Sequence, residues 1–335
     1  MKIVFIIIGS LLLIYLIFCF IVANTIVEKT THPKYSTREQ RQERNRNHGF
    51  LEGTECYGRE ETTFEMEDGY TIHGDISINN PKKFIIFAHG HGSTREGAYK
   101  YTKIFYDLGY SLVMYDERGH GDNVRVPCTM GYKESKDLAE IVRIIRKRYG
   151  KDIELGVFGY SMGGATTCLA SQYFQADVKF IVIDCAYSSL KTQCHNIAFT
   201  HFVPFFPTLI FANLLFKIKY KFSFKDCNAK LAIEKNRLPV CFFHGRKDKT
   251  VFPINSKILY NASSAKIKRL YYFENAGHSK SVESDRESYK QKIEEFLKTI
   301  GEENGNWKET LKIECKKNVH YWICLLWHPY VMASL

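Results

Sequence analysis

A mostly parallel β-sheet with helices on both faces, an α/β architecture, is the fold class that this 335-residue sequence predicts. Three observations carry it. Short apolar runs recur between Phe84 and Phe273, each suited in length to a buried parallel strand. Helical patterns such as Ala98–Leu108 and Ser135–Arg148 separate those runs, which is the rhythm of crossover units. Hydrophobic residues make up 45% of the chain, enough to build a core and to exclude a disordered polymer.

The N-terminal segment comes first. No charged side chain occurs from Ile3 to Val27, and Ile3–Val22 is almost wholly Ile, Leu, Phe, Val and Tyr. About 20 apolar residues span a bilayer core, whereas a secretory signal has an apolar region of roughly 7–15. Residues 1–27 are therefore read as an uncleaved, single-pass membrane anchor. Lys2 stands before it, while Lys29, Lys34, Arg38, Arg41, Arg44 and Arg46 follow it. Positive charge stays on the cytoplasmic side, so the following chain is expected in the cytoplasm. Residues 28–56 read as a polar, basic linker that can meet anionic headgroups. The net charge of +11 fits the same partner, because neither a zinc spacing nor a nucleic-acid module accompanies it. Nucleic acid and an obligate protein partner are not expected. The ten cysteines form no CxxC pair and suit a reducing compartment.

Next, Thr62–Glu67 and Tyr70–Ile76 flank Asp68-Gly69, a hairpin signal. The buried strands expected are Phe84–Ala88, Ser111–Tyr115, Ile153–Phe158, Phe180–Cys185, Val240–Phe243 and Leu270–Phe273. Strand Ile153–Phe158 runs into Gly159-Tyr160-Ser161-Met162-Gly163-Gly164, followed by a helix-forming stretch, Ala165 to Gln172. A sharp strand-to-helix turn presents a nucleophile above the sheet, and side chains two positions to either side would collide within it. Ser161 is the candidate nucleophile.

A serine hydroxyl needs a general base. His278, in Asn275-Ala276-Gly277-His278-Ser279 after the last strand, is placed to swing over it. Asp248, 30 residues earlier in Gly245-Arg246-Lys247-Asp248, is placed to orient the imidazole, with Asp184 as the rival acid. Two backbone N–H groups should face the oxyanion, one from Met162 and one from His91, with Gly92 as second choice. The pair His89 and His91 lacks a third metal ligand nearby, and no metal is expected.

These motifs resemble the α/β-hydrolase superfamily over roughly Thr62 to Leu297, closely its serine aminopeptidase and monoacylglycerol-lipase-like branch. The resemblance rests on His89-Gly90-His91-Gly92, Asp116-Glu117-Arg118-Gly119-His120-Gly121, Gly159-Tyr160-Ser161-Met162-Gly163, Gly245-Arg246-Lys247-Asp248 and Gly277-His278. Membrane-anchored bacterial hydrolases look most similar. The resemblance implies the α/β-hydrolase fold, a Ser–Asp–His triad of Ser161, Asp248 and His278, and no cofactor. It makes Asp116–Gly121 a structural turn, with Arg118 and His120 as scaffold.

The expected domains are the anchor, the linker, a hydrolase domain over 57–300 with a cap at about 186–238, and a tail over 301–335. Aromatic residues from Phe199 to Phe216 make the cap either a helix pair buried on the sheet or a lid over an acyl-binding pocket, with Lys217, Lys219, Lys221 and Lys225 near headgroups. The expected function is hydrolysis of a small or lipid-like acyl ester. A peptidase or amidase using the same residues is the alternative, as is an inactive membrane-tethered binding protein.

Overall fold

The computed structural model describes residues 1–54 and 57–303. Cys56, Cys315, Cys324, His320, His328 and the tail from residue 304 lie outside the described residues. The chain divides into two compact units, residues 1–286 and 287–335.

Helix α1 (Lys2–Thr31) opens the chain and is long and apolar enough to cross a membrane. At about 1.5 Å per residue it exceeds the ~30 Å of a hydrocarbon core. Most of its first twenty residues are exposed, while Cys19, Ala23, Val27 and Thr31 are buried on one side of its second half. Helix α2 (Arg38–Asn47) lies within the segment expected to be a solvated linker. Its sequence has no apolar face. It is started instead by a capping box, in which Thr37 and Gln40 bond reciprocally to each other's backbone N–H.

Strands β1 (Arg59–Glu65) and β2 (Thr71–Ser77) form the expected antiparallel hairpin, with Gly69 at φ +78° in its turn. The sheet continues through β3 (Lys83–Ala88), helix α3 (Tyr99–Asp107), β4 (Ser111–Tyr115), α4 (Glu134–Tyr149), β5 (Glu154–Tyr160) and α5 (Met162–Phe174). After β6 (Phe180–Asp184) come the cap helices α6 (Leu190–Thr200) and α7 (Phe205–Tyr220), then α8 (Ala229–Ile233). Strand β7 (Val240–Gly245), α9 (Ile254–Ala262), β8 (Lys268–Phe273) and the short α10 (Ser281–Ser284) complete the first unit. In the second unit, α11 (Arg286–Glu303) carries Tyr289, Ile293, Phe296 and Ile300 at helical spacing.

The strand order is β1-β2-β4-β3-β5-β6-β7-β8, parallel from β4 onward. From β3 the chain first steps outward to β4 and then returns across β3 to β5. Right-handed crossovers therefore put α3 on one face and α4, α5, α8 and α9 on the other. This is the α/β-hydrolase arrangement expected from the sequence, with the cap inserted between β6 and β7. Ile85, Ile86, Val113, Val157, Ile181 and Phe242 are fully buried between the layers.

The cap does not stand free. Helix α7 runs parallel beside the second half of α1: Phe20 and Phe211 meet edge to face at 5.7 Å. Lys219 Nζ donates to Asn24 at 3.0 Å and to Glu28 at 2.6 Å. It also exposes Phe206, Ile210, Leu214 and Ile218, spaced every four residues into one apolar stripe; Phe199 near the end of α6 and Phe202 in the turn after it are exposed as well.

Candidate active site

The turn from β5 into α5 holds Ser161 at φ 55°, ψ −120°, a strained conformation for a residue with a side chain. The neighbouring glycines are sterically required. A Cβ on Gly159 would fall 2.3 Å from the Gly163 carbonyl oxygen, and one on Gly163 would fall 2.1 Å from that of Ala88. The turn is tied back when Ser161 N–H donates to the Asp184 carbonyl at 2.8 Å.

Residues far apart in sequence meet above this turn. Ser161 Oγ lies 2.9 Å from His278 Nε2, and His278 Nδ1 lies 2.7 Å from Asp248 Oδ2. Asp248 Oδ1 accepts the N–H groups of Thr250 and Val251 at 2.8 and 2.9 Å, which fixes the carboxylate's orientation. Burial pushes the Asp248 carboxyl up, but hydrogen bonds from His244 and His278 outweigh it and hold the group below the ordinary carboxylate range. Asp184 turns elsewhere: Tyr101 Oη and Ser281 Oγ lie 3.1 and 3.4 Å from its carboxylate. A hydroxyl, imidazole and carboxylate so linked can pass the serine proton to the imidazole and stabilise the cation formed.

Met162 opens helix α5, where the first N–H groups have no acceptor within the helix. His91 lines the cleft at Ser161. The second choice, Gly92, is committed, because its N–H donates to His120 Nε2 at 3.1 Å. This loop and Cys128 together hold the end of α1 and the residues just after it. His91 Nε2 lies 2.7 Å from the Thr30 carbonyl, Ser36 N–H donates to Gly92 O at 2.9 Å, and Cys128 N–H donates to Thr31 O at 2.8 Å. Arg118, read as scaffold, pairs with Asp137, and its Nε donates at 2.8 Å.

His89 is wholly buried and neutral: its Nδ1–H donates to Gly90 O and its Nε2 accepts the Glu117 N–H, both at 2.8 Å. Burial lowers its pKa from 6.5 to about 3. Between those values the unfolded chain takes up a proton that the folded chain refuses, so stability falls as pH drops through the window. We expect thermal midpoints to decline from about pH 6.5 downward. The decline should be shallower for His89→Gln, measured by circular dichroism in detergent.

Among the described residues, Cys185, Asp248 and His278 bring potential metal-ligand atoms within 4.8 Å of one another. Both ring nitrogens of His278 are already engaged, and burial, with Asp184 and Asp248 nearby, pushes the Cys185 thiol well up. The donor set therefore suits a hydrogen-bonded site rather than an ion.

Several cleft residues were not expected from the sequence. Arg41, Arg44, Asn45 and Phe50 come from the segment read as linker, and Lys100 comes from α3. The capping box Thr37-x-x-Gln40 was the signal that could have marked a docked helix there. Lys100 donates to the Ser279 carbonyl and, at 3.3 Å, to Glu283, so it braces the turn that carries His278. Burial lowers the Lys100 pKa. The cleft encloses about 220 Å³, and among the described residues none of those lining it comes from α6, α7 or α8.

A family model described as serine aminopeptidase, S33, matches residues 79–227. The uncharacterized protein YqkD of Bacillus subtilis is 26% identical over 248 residues, covering 72% of this chain and 81% of that protein. The lysophosphatidylserine lipase ABHD12 of Rattus norvegicus is 26% identical over 137 residues, 39% of this chain and only 33% of that enzyme. Among solved structures, the Pyrococcus furiosus esterase Pf2001 superposes with a TM-score of 0.60 at 21% identity, covering 76% of this chain and 95% of that one. A Paleococcus ferrophilus monoacylglycerol lipase gives 0.54 at 17% identity, covering 68% and 99%.

Proposed function

The chain belongs to the α/β-hydrolase superfamily, and from that premise we propose that it is a membrane-anchored serine hydrolase that cleaves acyl esters. The observation that carries this reading is the hydrogen-bonded series Ser161–His278–Asp248 on a strained turn. In it Ser161 attacks the ester carbonyl and His278 takes the serine proton, then returns it to the leaving alcohol. Asp248 holds the imidazole and offsets its charge. The N–H groups of Met162 and His91 receive the oxyanion. Water, activated by the same His278, releases the acyl group.

Helix α1 serves as the anchor, with the cytoplasm on the side where the basic residues accumulate. The exposed stripe of α7, held against α1, lies in the same leaflet, which supports lipid-like acyl esters as substrates.

The description of the matching family favours a peptidase reading, but the cleft opposes an aminopeptidase. Its lining includes Arg41, Arg44 and Lys100, and its one carboxylate, Glu283, is already paired with Lys100. A cationic amino terminus would meet repulsion there. Turnover of p-nitrophenyl acyl esters of graded length is expected to exceed that of aminoacyl anilides. Faster release from the anilides would overturn the esterase assignment.

A further inference from the structure

Helix α2 brings guanidinium groups to the cleft under two different conditions. Arg38 is committed: it lies 3.1 Å from Glu61, 3.2 Å from Glu96 and 3.0 Å from Asp122. Arg59 and Arg95, packed nearby, are likewise paired with Asp75, Glu96 and Asp116. Arg41 and Arg44 differ. Both line the cleft that contains Ser161, and neither makes a side-chain hydrogen bond or an ion pair among the described residues. Arg41 Nε is sealed from solvent without an acceptor. A buried guanidinium donor without an acceptor is unfavourable unless a ligand supplies one. The other cation of the cleft, Lys100, is spent on Glu283 and on the Ser279 carbonyl.

The helix is also fixed in place rather than mobile over the cleft. Asn45 Nδ2 donates to the Glu96 carbonyl at 2.8 Å, and Gln42 donates to the Glu96 carboxylate at 3.2 Å. The two unpaired arginines are thus held at the wall by a firm support. Guanidinium groups suit phosphate and carboxylate, which accept two parallel N–H bonds.

We propose that the Ser161 cleft selects acyl esters bearing an anionic phosphate or carboxylate beside the ester, and that Arg41 and Arg44 receive this group. The inference rests on reading the cleft as the ester site and narrows the substrate class that the site accepts. A neutral acylglycerol lacks the group that these arginines require.

Binding tests it without depending on turnover. The full chain in neutral detergent micelles is titrated with a non-hydrolysable alkyl glycerol phosphate and with the matching alkyl glycerol. The phosphate is expected to bind at least about 10-fold tighter, the scale of one charge-assisted contact. In Arg41→Gln/Arg44→Gln the two ligands should bind alike. Because Arg44 is exposed, Arg44→Glu tests the same point with little risk to folding and should weaken the phosphate ligand alone. Arg143→Gln, on the exposed side of α4, should leave the preference unchanged.

Equal binding of both ligands by the natural chain, or a preference that survives the double substitution, would overturn the proposal. Glycerol 3-phosphate separates the sources of the anion. Displacement of the alkyl phosphate at comparable concentration assigns the site to water-soluble phosphoesters, and failure to displace assigns it to lipids. A separate ester assay keeps the two readings apart. Phosphate preference without hydrolysis would reject the hydrolase, whereas hydrolysis without preference would reject only this inference.

Discussion

Alanine in place of Ser161 is expected to lower kcat for an acyl ester by about 10⁵-fold and to abolish labelling by a fluorophosphonate. The hydroxyl is the group His278 can deprotonate, at 2.9 Å, and no neighbouring side chain replaces it at the apex of the turn. Alanine keeps the Cβ that the backbone at φ 55° already accommodates, and the bond from residue 161 N–H to Asp184 O survives. The thermal midpoint should therefore stay near that of the unaltered chain, which separates lost chemistry from lost fold. Persistent labelling would place the nucleophile elsewhere.

The second large effect concerns stability. Arg95 is 2% exposed and meets Asp75 through Nε at 2.8 Å and Asp122 through Nη2 at 3.0 Å, with Asp116 also bonded to it. Asp75 and Asp116 are fully buried. Removing one partner from a buried ionic cluster costs about 3–5 kcal/mol, because the remaining charge keeps its desolvation penalty. Arg95→Met is thus expected to lower the melting midpoint by about 10 °C. It should also lower ester turnover, since Glu96 next to it supports α2 over the cleft. A midpoint within about 2 °C of the natural one would show that the cluster contributes little.

The inner strands β3 to β7 were legible because they are buried on both faces, so each reads as a short apolar run. Ser111–Tyr115 matches its expected bounds, and the others differ by a few residues at the ends. The elbow was legible for a steric reason, since its glycines mark where the backbone has no room. Helix α2 was not. Arg-Glu-Gln-Arg-Gln-Glu-Arg-Asn-Arg-Asn offers no apolar period, and the helix is held by a cap and by polar bonds to residues about 50 positions away. Such partners leave no local trace in a sequence. The pairing of α7 with α1 was hidden likewise, because both are apolar around their circumference and neither pattern names its neighbour. The aromatic cap drew attention as a wall of the pocket, yet among the described residues the lining takes Arg41, Arg44, Asn45 and Phe50 from the arginine-bearing segment and none from the cap helices.

The bonds from Thr30, Thr31 and Ser36 to the loop at His91 and to Cys128 bear on how this protein can be handled. The usual way to make such an enzyme soluble is to trim its greasy leader. Here a cut just past residue 36 would carry off a strut of the reaction chamber and strip α7 of its companion. The leader is masonry as well as grease, and a shortened version should keep the helix from Phe20 onward, so that the contacts of Phe20, Asn24 and Glu28 with α7 survive.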